Sequence, residues 1–214
     1  MGKVINGQIS IYAYASPNAP GYSPSSTEPA RGNEVLAAGE YFVVEYETQH
    51  LLIDQIVGIL DGLQQKPSLR RLELHAHGDP SGINGFTGRY PSDMARFGRI
   101  RWSDDSSLYL TGCNTGLTDA TATTPGDGAV PVAQIWANAL PLVPKQFRFT
   151  VYGTVGYSNG CHALGTTATY EVGGIWGIIN YGAPFTGGRD TEPDATKPDP
   201  AAGAYQAFRG PNSA

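Results

Sequence analysis

Six side chains in the 214-residue sequence can act as an imidazole base or a thiol nucleophile: His50, His75, His77, His162, Cys113 and Cys161. Two of them stand in matching positions. Leu72-Glu-Leu-His-Ala-His77 is an apolar run stopped by Gly78-Asp-Pro-Ser-Gly82, and Leu108-Tyr-Leu-Thr-Gly-Cys113 is a second run stopped by Asn114-Thr-Gly116. If both runs are neighbouring parallel strands, their ends stand about 5 Å apart, and imidazole and thiol come within reach. A histidine beside a thiol raises its thiolate fraction, or takes its proton as sulfur attacks a carbonyl carbon. The backbone N–H groups of Gly78 and Cys113 then face the developing oxyanion, and glycine lets a substrate backbone approach closely. A lone cysteine or a lone histidine is more often a packed core residue. Two at consecutive strand ends, each beside a glycine, favour chemistry.

Two other patterns compete. His75 and His77 are two apart on a strand end and share a side, so with Asp79 they imitate the start of an H-x-H-x-D-H zinc motif. Pro80 replaces the last histidine of that motif, and His75 otherwise reads as a packing residue beneath His77. Gly156-Tyr-Ser158-Asn-Gly160 fits the G-x-S-x-G nucleophile elbow, but His162 follows it too closely to complete a triad. That segment reads as a tight turn at the cleft. Cys161 has no strand-end placement and reads as a structural thiol.

The positioning elements follow from periodicity. Lys3 to Ala15 is β-rich, Ser16 to Asn33 is a Pro/Ser/Gly loop, and Tyr41 to Tyr46 is a second strand. Thr48 is an N-cap for a helix with Leu52, Ile53, Ile56, Val57, Leu60 and Leu63 at helical spacing, ended by Lys66-Pro67. The 72–77 strand follows, and the glycines of its 78–82 turn are expected to supply positive-φ positions. The stretch to Asp105 is mostly loop, with one helical turn near Met94 to Phe97. Ser107 to Gly112 is a strand, Val130 to Leu140 a helix, and Phe147 to Val155 a fifth strand. Thr167 to Tyr181 has hairpin composition, broken at Gly173-Gly174. This alternation predicts an α/β fold: a mostly parallel sheet flanked by helices, with a C-terminal β-hairpin addition. Residues 1–186 make one domain, and 187–214 a Pro/Gly-rich extended tail. In such sheets ligands sit beyond the carboxyl ends of the strands, where His77 and Cys113 are placed.

The segments Leu72 to Gly78 and Leu108 to Gly116 resemble the caspase-like cysteine peptidases of clan CD, bacterial type, in which an apolar strand ends in His-Gly and the next ends in a small residue before the nucleophilic Cys. The resemblance covers Tyr41 to Val155. It implies a caspase-like sheet, His77 as base, Cys113 as nucleophile, Gly78 in the oxyanion hole, and Thr111, Gly112, Tyr157 and Ser158 at the substrate. The caspase Q-A-C-x-G signature is replaced by Thr111-Gly-Cys-Asn-Thr115, so a preference for aspartate before the cut bond does not carry over.

Composition narrows the partners. Glycine (28) and proline (16) form about a fifth of the chain, charged residues only 15%, and the formal charge is -5. No basic surplus exists to neutralise a phosphate backbone, so neither nucleic acid nor an anionic membrane is the expected partner. No leader-like or membrane-length apolar run is present, which makes a cytoplasmic protein the expectation. The expected function is a cysteine endopeptidase acting on protein or peptide through a His–Cys dyad, without a cofactor. Arg189, Lys197 and Arg209 in the tail offer sites for self-processing. The alternatives are a non-catalytic caspase-like binding or scaffold module, and a metal-dependent hydrolase through His75, His77 and Asp79.

Overall fold

The structure is a computed structural model, and it describes residues 2–20, 22, 28–84, 86, 91–119, 122–124, 127–139, 148–154, 157–158, 163, 169–170 and 205–210. Its strands are β1 (Gln8–Ala15), β2 (Phe42–Tyr46), β3 (Ser68–His75), β4 (Gly78–Asp79), β5 (Gly82–Ile83), β6 (Trp102–Thr111), β7 (Arg148–Thr154), β8 (Tyr157–Ser158), β9 (Thr169–Tyr170) and β10 (Tyr205–Arg209). The helices are α1 (Glu28–Ala38), α2 (Gln49–Gly62) and α3 (Val132–Ala139), with a 3-10 helix at Pro91–Arg99. Six strands form one sheet in the order β10-β7-β6-β3-β1-β2, parallel throughout except for β10, which runs antiparallel to β7. The fold is therefore α/β with a mostly parallel sheet. Two small antiparallel pairs, β4 with β5 and β8 with β9, lie outside it.

Alternation along β1 builds both faces. Ile9, Ile11, Ala13 and Ala15 join Leu52, Ile53, Ile56 and Leu60 of α2 in the main core, together with Leu72, Leu74, Leu108, Leu110 and the buried side of α3. Each fully buried Leu or Ile contributes roughly 1.5–3 kcal/mol, so this stripe is what holds α2 to the sheet. The start of α2 is fixed locally, since Thr48 is extended and its hydroxyl accepts from Leu51 N–H at 3.4 Å. Tyr12 points to the other face, where it packs with Tyr41 and with Val35 of α1.

The sequence reading missed α1, half of which lies in the expected 16–33 loop. Its apolar signal is thin, because among its residues 29–38 only Gly32 and Val35 are buried. Pro29 near its start fits a first helical turn, and Gly39 at φ +75° ends it by donating to Val35 O at 3.2 Å. Gly32 is required by a close approach: a Cβ there would stand 2.5 Å from the Tyr14 ring. β6 also starts five residues earlier than its apolar run predicts. Its polar beginning is tied down by Ser103 and Ser106, whose hydroxyls both donate to Leu69 O.

Of the expected tail, residues Tyr205–Arg209 form the edge strand of the sheet, with Tyr205 and Phe208 buried. Arg209 pairs in register with Thr150 rather than lying in loose chain. Arg189 and Lys197 lie outside the described residues, as do Cys161, His162 and most of the 167–181 hairpin segment. Among the described residues no helix is long and apolar enough to cross a membrane.

The chain leaves β1 for β2 on one side, then crosses to β3 on the other side of β1. The loops after β1 and β3 diverge there, which is where an open parallel sheet forms its binding crevice.

Candidate functional site

Register brings the two reactive positions to one junction. His75 and Thr111 are the last paired residues of β3 and β6, and His77 and Cys113 each stand two positions beyond them. Neither is in the strand proper. Ala76 N–H still donates to Thr111 O at 3.3 Å, which carries the pairing one residue further. The two loops then touch backbone to backbone: a Cβ on Gly78 would stand 3.1 Å from Gly112 Cα, and one on Gly112 2.8 Å from Ala76 O and 3.0 Å from Gly78 Cα. Neither Gly78 nor Gly82 takes the positive φ expected of the 78–82 turn, and a Cβ at Gly82 would meet open space, unlike one at Gly78 or Gly112. At Gly78 and Gly112 the need for glycine comes from this close approach.

The Gly112–Cys113 peptide is held from below. Gly112 O accepts from the Thr154 hydroxyl and, at 3.4 Å, from that of Thr115, which also donates to Leu110 O at 2.8 Å. The first turn of α3 ties both loops together, because Val132 N–H donates to Pro80 O at 3.0 Å and Ala133 N–H to Thr115 O at 3.2 Å. These are two of the donors that a helix start leaves without an intrahelical partner. Gly112→Ala is accordingly expected to destabilise the protein by about 1–3 kcal/mol, because its Cβ meets backbone that cannot yield. A lowered urea midpoint at unchanged m would register this; wild-type stability in the variant would refute the tight packing.

Thr111, expected at the substrate, is fully buried. Its hydroxyl lies 2.6 Å from Tyr205 Oη and donates to Glu73 Oε1 at 2.9 Å, and Glu73 Oε2 accepts from Ala163 N–H at 2.7 Å. The Thr111 side chain is thus engaged with partners in the sheet interior. Tyr157 and Ser158 form β8, and their side chains lie outside what the structure describes.

His75 is 6% exposed, and its Nδ1 meets Tyr12 Oη. Burial, with the Arg31 and His77 charges adding to it, pushes its pKa down from 6.5 to about 3. Asp79 folds back on its own turn, where Oδ1 accepts from Ser81 N–H at 2.7 Å and from the Ser81 hydroxyl at 2.6 Å. The proposed His75, His77 and Asp79 metal cluster is not assembled: among the described residues no group of three such side chains could hold a metal ion.

Three unpartnered polar atoms gather at the junction. His77 Nε2 and both amide atoms of Asn114 are buried without a hydrogen-bond partner among the described residues. Asn114 is fully buried and sits at φ +57°, in the left-handed region that Asn tolerates better than most residues. Each such atom costs on the order of 1–3 kcal/mol, and strain of this kind collects at functional sites. The sequence reading did not single out Asn114; an Asn directly after a strand-ending Gly-Cys was the available signal.

A cleft of about 560 Å³ opens beside His77 and Gly78. Its other walls include Pro20 from the loop after β1, Thr48, Gln49 and His50 at the start of α2, Ile83 and Phe86 after β3, and Arg96 of the 3-10 helix. Cys113 does not line it. Compared with protein-family models, curated proteins and solved structures, the chain matches none significantly.

Proposed function

We propose that this chain is a cysteine endopeptidase, caspase-like in the arrangement of its dyad. Cys113 is the nucleophile and His77 the base. One observation carries the proposal: two neighbouring parallel strands deliver a histidine and a cysteine in equivalent positions beyond the last paired residues, over a glycine-to-glycine contact. The unpartnered His77 Nε2 supports it, since this ring nitrogen is not committed to a hydrogen bond with another group of the fold.

The chemistry follows from these groups. His77 takes the Sγ proton as sulfur bonds to the scissile carbonyl carbon, and the carbonyl π electrons move to oxygen. The Gly78 and Cys113 amides face that oxygen. Collapse breaks the C–N bond, the proton passes from His77 to the leaving amine, and water hydrolyses the thioester to regenerate the thiol. The glycines allow a peptide backbone to approach this junction.

A non-catalytic binding module is the second reading, favoured by the absence of Cys113 from the cleft wall. The experiment that separates them is peptide-library hydrolysis by wild type and Cys113→Ala, with mass-spectrometric labelling of the folded protein by a thiol-directed covalent inhibitor. Hydrolysis lost in the variant, and Cys113 labelled in the wild type, support the peptidase. Hydrolysis unchanged by the substitution, or a Cys113 that resists the inhibitor, removes it.

A further inference from the structure

The cleft beside His77 is unevenly charged. Arg99, on the same 3-10 helix as Arg96, is neutralised by Asp54 at 2.6 Å, and Arg101 by Asp61 at 2.8 Å. Arg96 lines the cleft and has no carboxylate at ion-pair distance among the described residues. Its close neighbour is His50 Nδ1. That neighbour is an imidazole and not a carboxylate, and its other nitrogen, Nε2, lies 3.3 Å from Asp54 Oδ2. The contact orients the guanidinium and leaves its charge in place.

Two further features act in the same direction. Gln49 and His50 bring the first turn of α2 into the cleft, and that turn contains no acidic residue to offset the positive end of the helix dipole. The cleft's own carboxylate, Asp79, follows Gly78 at the His77 end and is folded onto Ser81. An anion is therefore repelled near the reacting junction and attracted at Arg96. Ile83 and Phe86 add apolar wall for the stem of a side chain.

We propose that the cleft is a substrate subsite for an acidic side chain, with Arg96 as its specificity residue. Because Cys113 does not line the cleft, the acidic residue lies one or more positions away from the bond that is cut. The inference rests on the peptidase reading for the polypeptide nature of its ligand and for the place of the acidic residue relative to the cut bond.

The test uses the full chain carrying Cys113→Ala, so that nothing is turned over. Fluorescein-labelled octapeptides on an alanine background carry a single Glu, Gln or Lys walked through each position, and binding is read by anisotropy at low salt. At one position Glu is expected to bind about fivefold more tightly than Gln, a margin that shrinks as salt rises. Arg96→Glu reverses the preference towards Lys at that position, and Arg96→Lys keeps it. Equal binding of Glu and Gln peptides at every position, absence of binding, or a Glu preference that survives Arg96→Glu overturns the subsite. Hydrolysis of the same peptides by wild type separates the two proposals. Cys113-dependent cleavage indifferent to Glu leaves the peptidase and removes the subsite, whereas Glu-selective binding without cleavage retains the subsite and removes the peptidase.

Discussion

Cys113→Ala is expected to lower kcat/KM for peptide hydrolysis by about a thousandfold to a millionfold, and His77→Ala by a comparable factor. The double variant should lose little more than either single one. A thiol without its base and a base without its thiol are equally unable to form the acyl-enzyme, so the two losses do not multiply. Cys113 and His77 are both half-buried, so both variants are expected to stay folded, which circular dichroism checks. A steady-state comparison of the three variants decides the point. Losses that multiply in the double variant, or a single variant that keeps more than a tenth of wild-type activity, would contradict a dyad acting as one unit.

The second large effect is on stability, through His75. Its pKa lies near 3 in the folded protein against 6.5 in an exposed chain, chiefly because burial disfavours the charged ring. Between those values the unfolded chain binds a proton that the folded one refuses, so stability rises with pH across the window. The contribution is complete above pH about 6.5, declines as the pH falls, and changes no further below about 3. Its full span is of the order of 4–5 kcal/mol. Chemical denaturation at a series of pH values should therefore show a steep acid loss in wild type that His75→Gln, which cannot take up a proton, largely lacks. Equal slopes in the two proteins would mean that His75 is hydrated or charged in the fold.

Much of the framework was legible because strands buried on both faces leave apolar runs, and helices buried on one face leave apolar residues at helical spacing. β1, β2, the core of β3, α2, α3 and β7 all announce themselves by apolar spacing, and Thr48 marks its cap. The misses have local causes. α1 has little apolar surface of its own and follows a Pro/Ser-rich stretch, while tertiary contact with Tyr14 supplies what propensity does not. β10 is five residues in proline-rich surroundings, and its place is set by pairing with Thr150 to Thr154, more than 50 positions earlier. In the site, matched strand ends were visible in the sequence, whereas the location of the cleft was not. Arg96 and the start of α2 reach it only through the crossover from β2 to β3 and the path of the 3-10 helix. Thr111 illustrates the limit of analogy by position: its partners, Glu73 and Tyr205, come from strands on opposite sides of it and draw it inward.

The two amides that α3 gives to Pro80 O and Thr115 O have a consequence for how the junction behaves over time. Fixing one residue's backbone costs about 1–2 kcal/mol of conformational entropy. Here that cost is met during folding, because one helix end donates to both loops and a shift of either loop breaks its hydrogen bond to that end. A ligand arriving at the junction finds the loops already in place. Its binding energy is then free to distort the ligand itself, which is the circumstance in which a site favours the passage of a reaction over the mere retention of a molecule.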